Sequence, residues 1–194
     1  RDLFPDEKLA DGISINIGMQ NILFADVAGS SGLYRSVGDA RAFAMIRQFY
    51  REAHNIARAC RGAIVKTIGD AVMLSFSDPQ NALRAALRFV SFLDGSDAGL
   101  PLRARVTVNR GPCLAVNLNS AIDYFGNPVN TAAKLQAFVA GGEIGLTRDF
   151  VEEPSVTAYL KEKKFSFSGR KTGHIKGIGD VDYWLLRARR RTAP

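Results

Sequence analysis

The sequence predicts an α/β (α+β) fold with a ferredoxin-like βαββαβ core, to which strands and a helix are appended at the C-terminal end. Three observations support this prediction. Residues 63–76, AIVKTIGDAVMLSF, are two apolar runs joined by Gly-Asp, which is typical of a β-hairpin. Segments with helical spacing of apolar residues precede and follow this hairpin. Apolar strands stand at both ends of the unit, which favours a split-βαβ sheet with its helices on one face.

The first half of the core is assigned in order along the chain. Residues 1–17 are expected to be a linker or leading segment, and NILFADV at 21–27 is the first strand. The small-residue loop AGSSG occupies 28–32. Apolar residues recur at helical spacing over 39–59, and Gly62 ends this helix just before the hairpin.

The second half begins with a helix over 77–93, capped by Ser77 or Asp78. Two strands, 102–111 and 112–118, are expected around a turn. Together with the first strand, the first helix and the hairpin, these segments complete the predicted core.

The C-terminal third adds the appended elements. A helix is predicted over 126–142, starting at an Asn cap followed by Pro and ending at a double Gly. Residues 142–151 are expected to form a short strand and helix, and 164–187 a final pair of strands. The single domain would therefore span 18–187, and the basic tail 188–194 is expected to be disordered.

Composition indicates an ordinary globular domain. The chain has 194 residues, of which 46% are hydrophobic and 23% are charged. No apolar stretch approaches the ~20 residues that span a bilayer, and no secretory signal is visible. Cys60 and Cys113 lack metal-ligand spacing and favour a reduced, cytoplasmic location. Because the chain begins with Arg, we expect an upstream regulatory region in a longer protein, which could also anchor it to a membrane.

The net charge of +7 raises the possibility of an RNA-binding ferredoxin-like domain. Four of these charges lie in the C-terminal run formed by Arg187, Arg189, Arg190 and Arg191. Without that run the domain is mildly basic, which suits a polyphosphate ligand equally well. The predicted strands lack the exposed aromatic residues that base stacking requires, and Asp70 would repel phosphate. Nucleic acid is therefore not an expected partner.

Two carboxylates occupy chemically unusual positions. Asp26 ends an apolar strand, and Asp70 lies at the tip of the hairpin. The first strand and the hairpin are neighbours in a split-βαβ sheet, so both side chains can meet at one edge. Two carboxylates with few other ligands suit Mg²⁺, which keeps waters and takes further oxygens from substrate phosphate. The loop containing Gly29 and Ser30 offers backbone N–H groups that could bind phosphate.

A second set of polar residues lies near the third helix. Asn130 and Lys134 are four residues apart and share one helix face, which an ordinary solvated surface would also explain. Asp123 precedes two aromatic residues, and a carboxylate beside aromatics needs a hydrogen-bond donor. Lys66, which interrupts an apolar strand of the hairpin, also lacks a local explanation.

Four motifs together resemble one known family. FADVAGSS, KTIGDAVMLSF, DYFGNPVNTAAKL and IKGIGDVDYWLL, in this order between residues 22 and 186, are similar to the catalytic domain of class III nucleotidyl cyclases, here of the adenylate cyclase type. The resemblance implies closure of a nucleoside triphosphate to a 3′,5′-cyclic monophosphate with release of pyrophosphate. It also implies head-to-tail dimers with composite sites. Diguanylate cyclases have a related sheet, but their Gly-Gly-acidic-acidic-Phe signature is absent.

The resemblance assigns roles to the unusual residues. Asp26 and Asp70 would hold two Mg²⁺ or Mn²⁺ ions, together with the backbone carbonyl of Val27. Lys66 and Asp123 would contact the purine. An ammonium that donates to ring N1 and a carboxylate that accepts from the 6-amino group match adenine, whereas guanine reverses this pattern. ATP is therefore the expected substrate.

The remaining roles concern the sugar and the phosphates. By resemblance, Asn130 would orient the ribose, Lys134 would contact the α-phosphate, and Lys176 would bind the terminal phosphates. Asp26 or a water molecule would be the general base. The family usually has Arg at the position of Lys134, and Lys lacks its planar two-pronged donor. In the family, Asp70 and Lys66 would serve different sites of a homodimer. Two alternatives stay open: a non-catalytic or low-activity regulatory domain, and a cyclase that uses GTP or a pyrimidine triphosphate.

Overall fold

The computed structural model describes residues 15–93, 103–118, 121–163, 165 and 167–187. In chain order its elements are β1 (Ile15–Ala28), α1 (Ser30–Val37), α2 (Asp39–Ala59), β2 (Ala63–Ile68), β3 (Ala71–Phe76), α3 (Pro79–Leu93), β4 (Arg103–Leu118), β5 (Ala121–Phe125), α4 (Asn127–Leu135), a 3₁₀ turn (Gln136–Phe138), β6 (Glu143–Thr147), α5 (Arg148–Val151), α6 (Pro154–Glu162), β7 (Lys171–Ile175) and β8 (Gly179–Arg187). The predicted tail at 188–194 and the leading segment up to residue 14 lie outside the described residues. None of the helices in the described part is both long and apolar enough to cross a bilayer.

The strands form one mixed, mostly antiparallel sheet in the order β2-β3-β1-β4-β6-β8-β7, with β5 paired to β4. The first four strands of this order are antiparallel neighbours, with α1 and α2 connecting β1 to β2 and α3 connecting β3 to β4. This arrangement confirms the predicted ferredoxin-like core. The final strands β7 and β8 extend the same sheet through β6, so the appended strands are also confirmed.

The sheet is covered on both faces. Leu23 and Ala25 of β1 lie in the larger core with α1, α2, α3, α5 and α6. The alternating residues Ile22 and Phe24 lie in a smaller core with Ala132 of α4. The expectation that helices cover one face therefore holds for five helices and is wrong for α4. Since successive side chains of a strand point to opposite faces, the two alternating sets of β1 residues contribute to different layers.

Buried polar side chains attach α4 to the sheet. Thr107 Oγ1 donates to the carbonyl of Ala132 at 2.7 Å, and Asn109 Nδ2 donates to the carbonyl of Pro128 at 3.0 Å. Thr147 Oγ1 in turn donates to Asn109 Oδ1 at 2.6 Å. All three donors are buried, so each hydrogen bond also satisfies a group that would be costly to leave unpaired. The position of α4 over the sheet is thereby set.

The predicted turn between two strands near residue 111 is wrong. Residues 103–118 form one continuous strand, β4. The second half of β4 continues the sheet because it pairs with the N-terminal half of β1. A Cβ on Gly111 would lie 2.5 Å from Cγ of Pro128. Glycine is therefore needed at this position for the close approach of α4, and a turn is not its role.

Two other boundaries differ from the prediction, and two elements were not predicted. The strand predicted at 21–27 begins earlier, at Ile15, which includes the last residues of the expected leading segment. The loop predicted at 28–32 is already helical from Ser30. The strand β5 and the helix α6 were not predicted, because each is short and gains its stability from neighbours in the fold.

The third helix is shorter than predicted. It begins at Asn127 with Gly126 as its N-cap, so Asn127 is not the cap, and it ends at Leu135 rather than at residue 142. After one 3₁₀ turn, Val139 adopts an extended conformation and packs with Leu135 and Tyr183. Burial of Val139 in this small core ends the helix before the double glycine.

The attachment of α4 generates a stability prediction. Replacing Thr107 by Val keeps the shape of the side chain but removes its hydrogen bond to the helix. We expect the free energy of unfolding to fall by about 1–2 kcal/mol in urea titrations. The same change at Thr67, which is exposed on β2, is the matched control. Equal stability of the Thr107→Val variant and the wild-type protein would contradict the role assigned to this bond.

Candidate active site

Strand pairing brings Asp26 and Asp70 together. Asp26 lies near the end of β1 on the same face as Phe24, opposite Ala71 of β3. Asp70 directly precedes Ala71 and occupies the turn of the hairpin, where Gly69 has a φ of 60°. The two carboxyl groups are near enough for the charge of Asp70 to raise the pKa of Asp26. The predicted juxtaposition of the two carboxylates at one sheet edge is present in this structure.

Arg105 is a charged partner of Asp26 that the sequence did not indicate. It lies directly opposite Asp26 on β4. Its Nε is 3.1 Å from Asp26 Oδ2, and its Nη2 donates to the same oxygen. Burial raises the pKa of the Asp26 carboxyl, the hydrogen bond from Arg105 lowers it, and the charge of Asp70 raises it. The net result is a pKa above the ordinary range. An arginine in an alternating strand was the only signal for this residue, and its partner depends on the register.

Tyr50 of α2 supports the turn that holds Asp70. Its hydroxyl donates to the carbonyl of Gly69. Burial raises the pKa of Tyr50, and the nearby charges of Asp70 and Tyr34 act in the same direction. Tyr50 lies within the helix predicted over 39–59, and nothing in the sequence indicated this contact.

The donor set of this edge fits a hard divalent cation. Burial raises the pKa of the Asp26 carboxyl and the charge of Asp70 raises it further; a cation between the two carboxylates would offset their repulsion. Among the described residues there is no cluster of three or more His, Cys, Asp or Glu side chains that could hold a metal. Further ligands would have to be backbone carbonyls, water or substrate phosphate, which is the ligand pattern of Mg²⁺.

The residues after Asp26 form a tight entry into α1. Gly29 is the N-cap of this helix and has a φ of 79°, a left-handed conformation that favours glycine. Its carbonyl accepts from the N–H groups of Gly32 at 2.9 Å and Leu33 at 3.3 Å. Ser30 is the first helical residue, and Val27, whose buried side chain has no ligand atom, could contribute only its backbone carbonyl. This loop therefore exposes the N-terminal end of a helix beside the carboxylates.

Lys66 and Asp123 form an ion pair. Lys66 Nζ is 2.7 Å from Asp123 Oδ2, and the two side chains are 39% and 23% exposed. Asp123 Oδ1 accepts from the backbone N–H of Tyr124 at 2.8 Å. Lys66 Nζ also lies 5.8 Å from the ring centroid of Phe125, within the range of a cation–π contact. The Lys66 ammonium and the Asp123 carboxylate therefore lie side by side and are partly exposed. Because each charge has the other as its partner, both can lie beside apolar residues.

A β-bulge places Lys66 on this face. The β2–β3 register shifts around Val65, so that Lys66 lies opposite Met73. Met73 belongs to the smaller core beneath α4, and paired residues of antiparallel strands share a face. Without the extra residue, Lys66 would lie opposite Val72, which is in the larger core on the other face.

The exposed face of α4 contacts the β7–β8 turn. Lys134 Nζ donates to the carbonyl of Lys176 at 2.9 Å. Asn130 lies one turn earlier on the same exposed face, and the side chain of Lys176 is exposed. Asn130, Lys134 and Lys176 thus form one cluster, held by α4 on one side and the turn on the other.

The predicted site residues therefore fall into three clusters: the carboxylates with the loop after β1, the Lys66–Asp123 pair, and the α4 cluster. Within the described residues, no hydrogen bond or ion pair joins one cluster to another. One chain therefore brings together the members of each cluster, and in its described part the three clusters stay separate.

Comparison with known proteins identifies the family. A profile of the adenylate and guanylate cyclase catalytic domain matches residues 16–188, so the chain belongs to this family. It is 36% identical over 125 residues to the pH-sensitive adenylate cyclase of Mycobacterium tuberculosis, covering 63% of this chain and 29% of that protein. It is 27% identical over 182 residues to human guanylyl cyclase C, covering 84% of this chain and 16% of that protein. The chain spans less than a third of the length of these curated relatives.

The fold matches solved cyclase domains. The crystal structure of the adenylyl cyclase CyaB from P. aeruginosa superposes with a TM-score of 0.76 at 19% identity, covering 93% of this chain and 100% of that one. This likeness shows the same fold, and the profile match over residues 16–188 makes the chain a class III cyclase catalytic domain. Because both adenylate and guanylate cyclases are among its relatives, the family alone does not select the nucleotide.

The raised pKa of Asp26 generates a pH prediction. A carboxyl whose pKa is higher in the folded than in the unfolded protein destabilises the fold when ionised, and this penalty disappears as the pH falls below its unfolded value. With a metal chelator present, we therefore expect Asp26→Asn to increase the free energy of unfolding at pH 7. The gain should shrink towards pH 4 in urea titrations. Asp149→Asn, at an exposed position, is the control. An Asp26→Asn protein less stable than the wild type at pH 7 would contradict this sign.

Proposed function

We propose that this chain is the catalytic domain of an adenylate cyclase, which converts ATP to 3′,5′-cyclic AMP and pyrophosphate at two composite sites of a head-to-tail homodimer. The observation on which the proposal depends most is the Lys66–Asp123 pair, with Nζ and Oδ2 2.7 Å apart. A fixed donor beside a fixed acceptor complements the N1 acceptor and 6-amino donor of adenine. Guanine presents the reverse pattern, and each mismatched buried polar group costs about 1–3 kcal/mol.

The three clusters support composite sites. Lys66 and Asp70 lie on the same hairpin, yet Lys66 is paired with Asp123 whereas Asp70 adjoins Asp26. We infer that the carboxylates of one subunit complete a site with Lys66, Asp123 and the α4 cluster of the other. A symmetric dimer of this kind has two equivalent sites, and a monomer has two incomplete ones.

The residues around the substrate have separate tasks in the proposed reaction. The ribose 3′-hydroxyl attacks the α-phosphorus in line with the departing pyrophosphate. Asn130 orients the ribose, Lys134 stabilises negative charge that develops at the α-phosphate, and Lys176 binds the terminal phosphates together with the loop at Gly29 and Ser30. Asp26, with its raised pKa, or a water molecule takes the hydroxyl proton.

Metal chemistry is part of this proposal. Two Mg²⁺ or Mn²⁺ ions per site would be held by Asp26, Asp70 and the carbonyl of Val27, and when bound they supply the Lewis acidity that lowers the pKa of the 3′-hydroxyl and neutralises phosphate charge. The contribution of the chain is to hold the two carboxylates on the same face through the β1–β3 register and the Tyr50 hydrogen bond.

The direct experiment is incubation of the purified chain with ATP, GTP, CTP or UTP and either Mg²⁺ or Mn²⁺, with products identified by mass spectrometry. Cyclic AMP as the main product supports the proposal. Cyclic GMP or a cyclic pyrimidine nucleotide as the main product would show that the substrate is GTP or a pyrimidine triphosphate and not ATP. Nucleotide binding without turnover would favour a regulatory domain.

The composite site predicts complementation. Asp70→Asn and Asn130→Ala should each reduce turnover by about a hundredfold or more, because each damages both sites of a homodimer. Equal mixing of the two proteins should restore about a quarter of wild-type activity, since half of the dimers are mixed and each has one intact site. Differently tagged subunits allow mixed dimers to be verified by co-purification. Verified mixed dimers without activity would show that the sites are not shared.

The purine pair predicts a change of substrate. Exchanging Lys66 for Glu and Asp123 for Cys inverts the donor and acceptor pattern. The ratio of kcat/KM for ATP to that for GTP should fall by about tenfold or more. The double variant changes the net charge by −1, and Lys171→Gln, at an exposed position of β7, is the control that makes the same change. If the folded, active double variant kept the wild-type ratio, the purine would have to be recognised by other residues.

A further inference from the structure

The outer face of α2 carries a row of arginines, on the opposite side of the sheet from the proposed active site. Arg47, Arg51 and Arg58 are four and seven residues apart, so they follow one line along the helix, and all three are exposed. The buried residues of α2 pack into the larger core, whereas Asp26 and Lys66 lie on the face of the smaller core. The row is therefore separate from the three clusters of the site.

Two arginines of α3 widen this surface. Arg84 and Arg88 are exposed and four residues apart on their helix. Burial raises the pKa of the thiol of Cys60, the residue that follows α2, and the charges of Arg88 and Arg84 lower it. Both arginines therefore lie near the C-terminal end of α2. Together the three arginines of α2 and the two of α3 form what we call the basic face.

We propose that the basic face docks on a membrane surface that contains acidic phospholipids. This inference goes beyond the cyclase reaction and does not depend on it. A folded domain that docks in this way would keep the three clusters on the side that faces away from the bilayer, where nucleotide and a second subunit have access.

The charges of the basic face are not compensated within the described part of the chain. None of its five arginines takes part in an ion pair there. The two acidic residues of α2, Asp39 and Glu52, lie off the row, and Glu52 accepts a hydrogen bond from Asn55 at 3.0 Å. Like charges four residues apart slightly destabilise a helix, so the row does not serve the stability of α2. It indicates an anionic partner.

The composition and shape of the basic face favour a bilayer over a protein or a nucleic acid. The other positions on the line of the row, Ala40 and Ala44, are small, so the face lacks the apolar centre that is typical of protein interfaces. The helix α2 packs against α1, α3 and the sheet, so it cannot enter a groove of a duplex. An acidic bilayer attracts exposed basic residues without either feature.

Two local features suit lipid headgroups. A depression of about 420 Å³ is lined by Arg47 and Arg51 together with Ala44 and Gln48. Two guanidinium groups beside a small side chain leave room for a phosphate, whose oxygens accept their hydrogen bonds. Phe43, which is 62% exposed, lies at the edge of the basic face one turn before Arg47. An aromatic ring in this position can enter the headgroup region of a bilayer.

The test measures binding of the full chain to vesicles by co-sedimentation. Vesicles contain either phosphatidylcholine alone or equal amounts of phosphatidylcholine and phosphatidylserine. The double variant Arg47→Gln, Arg51→Gln should bind the acidic vesicles about tenfold or more weakly than the wild type, because each basic residue near an acidic surface strengthens binding severalfold. Arg47→Lys with Arg51→Lys retains both charges and should stay close to the wild type.

Matched controls locate the effect. Arg170→Gln with Lys171→Gln removes the same charge from exposed positions at β7 and should leave vesicle binding nearly unchanged. The basic run after β8 is present in every variant, so a difference between variants does not arise from it. Raising the salt concentration to about 0.5 M should release the wild-type protein from acidic vesicles. Circular dichroism and thermal melting verify that each variant is folded.

The proposal is overturned if the folded double Gln variant binds acidic vesicles as tightly as the wild type. It is also overturned if the wild-type protein binds both kinds of vesicle equally, or binds neither and instead retains a labelled RNA or DNA oligonucleotide through Arg47 and Arg51. None of these measurements involves nucleotide turnover. Failure of the proposed cyclase function would therefore leave their outcome unchanged.

Discussion

The antiparallel register of β1 between β3 and β4 is the constraint on which the site depends. It places Asp26 opposite both Ala71 and Arg105, and thereby beside Asp70. The same register places Leu23 in the larger core. A slip of one residue would turn every side chain of β1 to the other face, which would exchange the residues of the two cores and move the Asp26 carboxylate to the side of the larger core. Burial of the apolar side chains of β1 therefore also maintains the geometry of the polar site at the end of this strand.

Two local features position the site residues that the register of β1 does not fix. The bulge at Val65 turns Lys66 to the face of the smaller core, where Asp123 and Phe125 are within reach. The hydroxyl of Tyr50 holds the carbonyl of the Gly69 turn. The bulge interrupts the strict alternation of side chains along β2. The Tyr50 side chain makes a polar contact, although it lies at an apolar position of its helix. Such exceptions are expected to concentrate where function requires them.

Electrostatics sets a balance between stability and readiness to bind. Asp26 is kept near another carboxylate in a buried position, and the raised pKa records the free-energy cost of its charge. Arg105 offsets part of this cost. The Lys66–Asp123 pair stays half-exposed, which leaves its donor and acceptor accessible to a ligand. In the proposed cyclase, these charged groups pair with one another within one chain. They would contact substrate and metal only when nucleotide, metal and partner subunit are all present.

The sequence by itself determined the order and type of the main elements and most of the proposed site residues. The Gly-Asp hairpin, the helix over Asp39–Ala59 and a cap at Ser77 or Asp78 depend on local turn chemistry and periodicity, which neighbouring residues specify. The hydrogen bond from the backbone N–H of Asn81 selects Asp78 as the cap. Only the tertiary structure decided that residues 103–118 form one strand, that α4 covers the opposite face, and that Arg105 meets Asp26. These features depend on pairing between residues that are distant in the chain. Register and packing between such segments are set by burial of the whole core, which no local pattern encodes.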